Sequence, residues 1–370
     1  MNNPHFFNSY YNLLQRIEEI NAPDYARSRN FLDGNVTALS PFINHGILST
    51  RQIATAVLTR YSRDASEKFL QELGWREYFQ RVWQHQGDGI FTDLRLPQEK
   101  VCSSLVPTAI ATGKTGILAI DQAIEQLVRT GYMHNHARMW TASLTCNIAQ
   151  THWLEPARWM YYHLLDGDLA SNSLNWQWNA GTFSNKKYYA NQHNINTFSR
   201  STQRGTILDV SYDEISAVPL PSNLNTRAPL TLTNTFPPSI AAPLTASSAL
   251  LYSIWNLDPT WHPDFAGRRV LWIEPSKHQA FPLSPLRWQF IQHWAAQIPG
   301  LELFVGERFD LFPQGVEHLS LTHREHPTCH DWPGTCDARD WMCPLTTGSF
   351  SSFFAFWKKA QKELAQPVLV

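Results

Sequence analysis

The spacing of apolar residues divides the chain into two regions. Between residues 10 and 208, apolar side chains recur mostly every three or four positions, which is the period of an amphipathic helix. Gly, Pro and Asn punctuate this region, and the alternating patterns typical of strands are nearly absent. The clearest helical stretches are residues 53–61, 69–83, 117–130 and 135–149. The pattern therefore predicts an all-helical domain over residues 1–215.

The rest of the chain has a different pattern. Residues 216–249 are rich in Pro, Ser, Thr and Asn, a composition typical of a linker or a surface excursion. Beyond them, short apolar runs typical of strands alternate with helical patterns; the runs are 269–273, 301–305 and 316–321, and the helical patterns are 285–298 and 350–364. This alternation predicts a small α/β module of parallel strands over residues 250–370. We therefore expect a mainly α protein with an α/β-like C-terminal module.

Charge and composition change this picture little. The 370 residues carry a formal net charge of −1, so binding of a nucleic acid would depend on a local basic patch. The chain begins without a charged segment followed by an apolar run, and its 5 cysteines are an odd number, so we expect a reducing, cytoplasmic setting. No stretch of about 18 apolar residues is present, so we expect no membrane span.

Three of the cysteines recur every seven residues among three histidines, which raises the question of a metal site. They are Cys329, Cys336 and Cys343, beside His323, His326 and His330. Their spacing fits neither a zinc knuckle nor the paired short spacings of common metal sites. We expect free thiols and no metal.

Three segments concentrate polar and aromatic side chains at helical spacing. Residues 72–79 (ELGWREYF) place an acid, an indole and a guanidinium on one helical surface. Residues 131–139 (GYMHNHARM) carry two adjoining stripes four residues apart, and residues 166–178 (DGDLASNSLNWQW) combine two aspartates with two tryptophans. Taken singly, each has a structural explanation: an amphipathic helix with an ion pair, or a carboxylate that caps a helix. The load of 15 Trp, 12 Tyr and 20 Phe likewise fits either packing or redox chemistry.

Together with residues 35–42 (NVTALSPF) and 113–127 (GKTGILAIDQAIEQL), these segments resemble the FAD-binding helical domain of DNA photolyases and cryptochromes. The resemblance covers residues 25–189 in the order and spacing of that family. It implies that FAD lies folded inside the helical domain. The positions implied to contact FAD are Tyr25, Thr37, Ser40, Arg76, His134, Arg138, Asp166, Asp168 and Asn172. In chemical terms, hydroxyls and guanidinium groups suit a diphosphate, and a carboxylate or an amide suits the flavin ring.

The resemblance also implies an activity. In the family, repair of a cyclobutane pyrimidine dimer uses a flipped-out lesion, polar contacts to the pyrimidines and aromatic walls. The matching residues are Glu72, Asn135, Met139, Trp75 and Trp178. Photolyases specific for the other ultraviolet photoproduct usually have His where this chain has Asn135. We therefore expect a deoxyribodipyrimidine photolyase-like lyase in which light-excited, reduced FAD gives an electron to the dimer. The alternative is a cryptochrome-like blue-light sensor that signals through FAD photoreduction.

This chain departs from the family pattern in its electron path. The family's photoreduction path uses three tryptophans, and Trp176 and Trp153 match the first two. The stretch around Lys100, where the third is expected, has no Trp. We therefore expect electrons to leave elsewhere, through Trp159, Trp140, Tyr161 or Tyr162, or not at all.

It also departs from the pattern in its phosphate contacts and domain order. Ala38 and His136 stand where the family commonly has Arg. The expected DNA contacts are His136, Lys186, Lys187, Arg200 and Arg204. Few phosphate contacts predict weak, salt-dependent binding and a preference for single strands of UV-damaged DNA. The helical motifs begin almost at Met1, so we expect a short photolyase-like protein without the amino-terminal antenna domain. Nothing in residues 250–370 identifies an antenna chromophore, and we expect a stabilising module there.

Overall fold

The computed structural model describes residues 5–184, 186–245 and 248–366. They form two compact units. The helical unit consists of Asn21–Thr37 and Ala65–Leu232. The sheet unit consists of the described residues up to Ile20, Ala38–Asp64 and the described residues from Thr233 onward. Among the described residues, no helix combines the length and the apolar character that crossing a membrane requires.

The helical unit is built from short and medium helices. Its helices are α2 (Ala22–Ser28), α5 (Arg63–Gln86, from Ala65 onward), α6 (Thr108–Ala111), α7 (Leu118–Thr130), α8 (Asn135–Ser143), α9 (Leu154–His163), α10 (Leu169–Ala180), α11 (Gln192–Ser199) and α12 (Ser222–Asn225). A turn of π-helix, Leu144–Ile148, continues α8. Helix α10 packs against both α8 and α9. The second and third polar segments therefore lie on adjacent helices, α8 and α10.

The helix boundaries follow local signals. Gly131 ends α7 in the left-handed conformation, with φ 71°. A Cβ at this position would lie 2.4 Å from Leu165 Cγ, so both the backbone and the packing require glycine. The prediction of a helix over 117–130 is confirmed by α7. The predicted helix 135–149 is α8 with its π-helical extension.

The sheet unit contains a parallel five-stranded sheet. Its strands are β1 (Ser248–Tyr252), β2 (Arg268–Ile273), β3 (Leu301–Val305), β4 (Ser320–Arg324) and β5 (Thr335–Asp337), in the order β3-β2-β1-β4-β5. The register aligns Leu251 with Val270 and with His323. Its helices are α1 (Tyr10–Glu18), α3 (Ser40–Asn44), α4 (Thr50–Leu58), α13 (Pro285–Ala295), α14 (Arg308–Leu311) and α15 (Phe353–Leu364). The described residues thus combine many helices with a parallel five-stranded sheet.

The predicted strand 301–305 coincides with β3, and 269–273 differs from β2 by one residue. The predicted strand 316–321 lies too early, because β4 begins at Ser320. Strands β1 and β5 were not predicted. The apolar run of β1, residues 249–252, adjoins the stretch interpreted as a linker and was not recognised as a strand. The three residues of β5 are mostly exposed and present no apolar run.

The division of the chain also differs from the expected boundaries at 215 and 249. Helices α1, α3 and α4 belong to the sheet unit. Their apolar side chains find partners there, since the Phe42 ring lies 5.2 Å from that of Trp294 and 5.8 Å from that of Phe290. The Pro-rich stretch is partly packed as well: the backbone N–H of Ala241 donates to Leu303, and that of Leu244 donates to Leu311.

Candidate functional site

Asp168 is the buried carboxylate at the start of α10. It caps that helix, accepting a hydrogen bond from the backbone N–H of Ser171 at 2.5 Å. Its other oxygen accepts from the side-chain amide of Gln80 on α5. Asp168 is therefore a helix cap, as the structural explanation predicts. The contact with Gln80 adds a link between two helices that a cap alone does not need.

Asp166, two residues earlier, has a different partner. Nη2 of Arg138 on α8 lies 2.9 Å from both of its oxygens, and the Asp166 side chain is only 4% exposed. Nε of Arg138 donates to the backbone oxygen of Met133 at 2.8 Å. A charge-assisted pair of this kind fixes the guanidinium in one orientation. The sequence placed both residues in the same site, and the structure brings them into contact.

His134 caps the start of α8, where its Nδ1 accepts a hydrogen bond from the backbone N–H of His136. Burial, helped by the positive charge of Arg138, lowers the pKa of His134 to about 4. The Arg29 backbone acts in the opposite direction, but it makes no well-formed hydrogen bond with Nε2, which is buried without a partner. Because Nδ1 accepts, the neutral ring carries its proton on Nε2. The site therefore contains a buried N–H donor that awaits an acceptor.

The side chains of α2 and α5 form the neighbouring wall. The Tyr25 ring packs edge-on against Phe69 at 5.0 Å. Burial, together with the nearby Glu72 carboxylate, raises the pKa of Tyr25 well above its usual range, so its hydroxyl stays neutral. Glu72 accepts a hydrogen bond from Arg29 Nε at 3.2 Å and pairs with Lys68 at 3.3 Å. Arg76 is close enough to influence the Tyr25 hydroxyl electrostatically.

Asn172 is buried one turn into α10. Its amide nitrogen donates to the backbone oxygen of Ala157 on α9 at 2.9 Å, which holds the side chain in place. Ser171 beside it has a hydroxyl oxygen that is buried without a hydrogen-bond partner. It is a second buried polar atom without a partner, on α10, in addition to His134 Nε2 at the start of α8.

None of the residues expected to contact a lesion is fully buried. Asn135 is exposed, and Trp75, Met139 and Trp178 are half-buried. The Glu72 side chain is 30% exposed. The Trp75 ring lies 5.3 Å from that of Phe79, and the Trp178 ring lies 5.6 Å from that of Tyr188.

The expected electron-transfer tryptophans lie in the interior. Trp176, Trp153 and Trp159 belong to one buried cluster, which also contains Trp140. They are at most 2% exposed. The Nε1–H of Trp153 donates to Asp93 Oδ1 at 2.7 Å.

The expected DNA contacts divide into two groups. Lys186 is exposed, and the side chains of Arg200 and Arg204 are 66% and 74% exposed and pair with acidic neighbours. Lys187 donates to the backbone oxygen of Glu99. His136, by contrast, is 8% exposed and bonds through Nδ1 to the Asn30 backbone oxygen, so its burial argues against a contact with DNA.

Two residues expected to contact the cofactor belong to different units. Thr37 is half-buried at the end of the first segment of the helical unit, and Ser40 begins α3 in the sheet unit. Gln80 and Arg29, which contact Asp168 and Glu72, are not among the site residues expected from the sequence. Gln80 stands four residues after Arg76 on α5, on the same helical face, and that spacing was a usable signal. Arg29, outside the segments that carry the motifs, gave no signal.

Known proteins resemble this helical unit. The family model "FAD binding domain of DNA photolyase" matches residues 69–206. The deoxyribodipyrimidine photo-lyase of Streptomyces griseus is 34% identical over 167 residues, which cover 44% of this chain and 36% of that protein. Cryptochrome DASH of Gloeobacter violaceus is 31% identical over 168 residues, covering 42% of this chain and 33% of that one. The chain thus spans about a third of the length of these curated relatives.

Among solved structures, the cryptochrome of Synechocystis aligns with a TM-score of 0.46 and 25% identity, covering 52% of this chain and 43% of that chain. The resemblance expected from the sequence motifs is confirmed by the family match. Residues 69–206 therefore match the FAD-binding domain of DNA photolyases, and the chain is similar in sequence to the photolyase and the cryptochrome above over less than half of its length. Its cofactor is FAD.

The described residues fit such a group. FAD offers a diphosphate, hydroxyls and a flavin ring with both donors and acceptors. The site offers Arg76 as a cation, the buried carboxylate Asp168 as an acceptor and the open donors His134 Nε2 and Ser171 Oγ. Buried polar atoms without partners cost free energy, about 1–3 kcal/mol each, so a ligand that satisfies them stabilises the fold.

Proposed function

We propose that this protein repairs cyclobutane pyrimidine dimers in DNA by light-driven electron transfer from reduced FAD. The observation that supports the proposal is a division by burial. Of the nine residues assigned to the cofactor, four are buried and five are half-buried; the buried ones are His134, Asp166, Asp168 and Asn172. Residues assigned to the lesion, such as Glu72 and Asn135, reach the surface. Such a division suits a cofactor held inside and a substrate that arrives from solvent.

The chain's own residues hold the cofactor by complementary charge and hydrogen bonding. Asp168 and Asn172 are fixed by Gln80 and by the Ala157 carbonyl, so an acceptor and an amide face the site without rotational freedom. The neutral His134 ring donates from Nε2, and a ring that titrates at a pKa of about 4 keeps this role through the physiological range. Bound and reduced, FAD supplies the light-excited electron.

The lesion residues supply recognition. A pyrimidine pair outside the duplex needs aromatic surfaces for stacking and polar groups for its carbonyl and N–H edges. Trp75 and Trp178 offer accessible indole faces, and Asn135 offers an amide. Glu72 is held by Arg29 and Lys68, so its carboxylate has a fixed position without being buried.

Contacts to the DNA backbone are few in this proposal. Arg200, Arg204 and Lys186 are exposed, but both arginines already pair with aspartates. Because each phosphate neutralised adds to affinity and to its salt dependence, few free cations predict weak binding. We propose damaged single strands as the preferred substrate, since flipping a base costs less there.

The test compares Glu72→Ala with Glu67→Ala, a matched change five residues earlier on α5. Both variants are loaded with FAD, reduced and illuminated with dimer-containing oligonucleotides, and the remaining lesion is measured by chromatography. We expect Glu72→Ala to repair more slowly at unchanged FAD content, and Glu67→Ala to match the parent protein. Equal repair by both variants contradicts the role of Glu72. Normal photoreduction of FAD without repair by the parent protein favours the sensor function.

A further inference from the structure

The buried Trp153 makes an unusually well-defined contact for an indole. Its Nε1–H donates to Asp93 Oδ1 at 2.7 Å, a short distance typical of a charge-assisted hydrogen bond. The Trp153 side chain is fully buried, whereas the Asp93 side chain is 23% exposed. The carboxylate thus stands between a buried indole proton and solvent.

The surrounding hydrogen bonds hold this pair in place. Gln98 accepts from the backbone N–H of Trp153 at 2.9 Å, and its own backbone N–H donates to Asp93 Oδ2 at 2.9 Å. His152 Nε2 lies 3.4 Å from Asp93 Oδ1, the oxygen that faces the indole. A carboxylate required only to satisfy an indole N–H does not need this many supports.

The same segment is also tied to the helix that carries Trp176. Gln177, the residue after Trp176, accepts from the backbone N–H of Leu94 at 3.1 Å and donates to the backbone oxygen of Ile90 at 2.8 Å. The segment 90–94 therefore connects α10 to Trp153 through Asp93. Both tryptophans lie in the same buried cluster.

We propose that Asp93 is the proton acceptor for Trp153 when light-excited, oxidised flavin draws an electron from the tryptophans. This inference rests on the proposed function, because it needs the photo-oxidising flavin. Trp153 loses one electron towards the flavin by way of Trp176. Its Nε1–H bond breaks, the proton bonds to Asp93 Oδ1, and a neutral indole radical remains beside a neutral carboxylic acid. No net charge appears in the interior at this site, since the positive charge of the oxidised indole cancels that of the carboxylate.

This step explains how the path can work without a third tryptophan near Lys100. An indole that has lost an electron is a much stronger acid than the intact one, so an adjacent carboxylate can accept its proton. Return of the electron then also requires return of the proton, which slows recombination. The radical is finally quenched when an external thiol gives Trp153 one electron and one proton and becomes a thiyl radical, and Asp93 releases its proton to solvent.

The test uses three variants of the full chain loaded with FAD. Asp93→Asn keeps an oxygen that accepts the indole hydrogen bond but cannot take its proton. Asp88→Asn makes the same charge change at an exposed residue nearby and serves as the matched control. Trp153→Phe identifies which signals belong to Trp153. Far-UV circular dichroism and FAD content report whether each variant folds.

Two measurements follow. The first is the NMR resonance of the Trp153 indole N–H in the dark, which we expect to lie far downfield in the parent protein and in Asp88→Asn. The second is transient absorption after a light pulse, which distinguishes a protonated from a deprotonated indole radical. We expect a deprotonated radical in the parent protein, with slower formation in heavy water. Asp93→Asn should show a protonated radical that decays at least severalfold faster.

The outcomes separate this inference from the function on which it rests. A deprotonated radical formed equally fast in Asp93→Asn, or a parent radical that stays protonated, overturns the role of Asp93 while photoreduction itself is intact. If Asp93→Asn does not fold, the absence of an isotope effect in the parent protein overturns it instead. A protein that binds FAD but forms no Trp153 radical contradicts the inference, and dimer repair can still proceed. Lack of repair despite a normal Trp153 radical contradicts only the proposed function.

Discussion

The side-chain amide of Gln80 on α5 donates a hydrogen bond to Asp168, the residue that caps α10. This contact joins the first and third of the polar segments seen in the sequence. It leaves Asp168 with one oxygen committed to the helix and the other to a neighbouring helix. Asp168 thus has a structural role in addition to the role towards FAD that we propose, and the two can be separated by substitution.

Asp168→Asn tests that separation. An asparagine caps a helix about as well as an aspartate, and its Nδ2 can donate to Gln80 once that amide turns its oxygen towards it, so we expect the free energy of unfolding of the apoprotein to change by less than about 1 kcal/mol. The lost negative charge should weaken FAD binding, measured by fluorescence titration of the apoprotein. Asp168→Ala should lower both stability and affinity. Unaltered affinity in both variants contradicts a role of Asp168 towards FAD.

The Arg138–Asp166 pair should show the asymmetry of buried charges. Arg138→Met removes the cation that pairs with the buried Asp166 carboxylate, and we expect a loss of on the order of 3 kcal/mol in unfolding free energy. The double variant Arg138→Met with Asp166→Leu should recover most of this loss, since no orphaned charge remains. Chemical denaturation of the apoproteins measures both values. A double variant no more stable than the single one counts against the pair as the cause.

The buried His134 should make the stability of the folded chain depend on pH. Its pKa is lowered from 6.5 to about 4 in the folded chain, mainly by burial, so the unfolded chain binds the proton more readily. Its contribution to stability is therefore complete above pH 6.5 and is lost as the pH falls towards 4. Urea unfolding of the apoprotein at pH 7 and pH 5, with His134→Gln as the comparison, measures this; the variant should lose less stability on acidification. A parallel loss in both proteins argues against His134.

Two glycines form a matched pair for backbone strain and packing. Gly131 has φ 71° and would place a Cβ 2.4 Å from Leu165, whereas Gly116 has φ 84° with nothing within 4 Å of its Cβ. Gly116→Ala should cost about 1 kcal/mol, the backbone penalty alone. Gly131→Ala should cost more, since Leu165 must also move. Equal losses in urea unfolding would show that the packing at Leu165 relaxes freely.

Arg200 and Arg204 test the proposed DNA contacts. Replacing either by Gln should reduce the slope of log affinity against log salt by about 0.7 for a single strand, if each neutralises one phosphate. His136→Gln should leave that slope unchanged, because the ring is buried against Asn30. Fluorescence anisotropy with damaged oligonucleotides at several salt concentrations provides the measurement. A reduced slope for His136→Gln alone reverses the assignment.

Much of the helical unit could be predicted from sequence, because helices such as α7 carry a strong period and a glycine stop signal. The π-helical turn 144–148 could not, since periodicity does not distinguish it from a continued α-helix. Strand β1 was missed because it adjoins Pro-rich sequence, and the grouping of α1, α3 and α4 with the sheet depends on long-range contacts such as that of Phe42 with Trp294.

The candidate site shows the same limit. Residues within one motif, such as His134 and Arg138, were placed together by helical spacing and by family resemblance. Gln80 and Arg29 reach the site from other segments, and the Asp93–Trp153 contact joins residues 60 positions apart. Sequence spacing carries no information about pairs at such separations without a further constraint.

The most direct test of the proposed repair activity is to measure the loss of the lesion. The parent protein, loaded with FAD and reduced, is illuminated with a single-stranded oligonucleotide that carries one cyclobutane dimer, and the restored pyrimidines are counted by chromatography against a sample kept in the dark. We expect pyrimidines to be restored only in the light, and no restoration by a preparation stripped of FAD. A dimer that persists after illumination in the presence of the FAD-loaded, reduced protein contradicts the proposed repair activity.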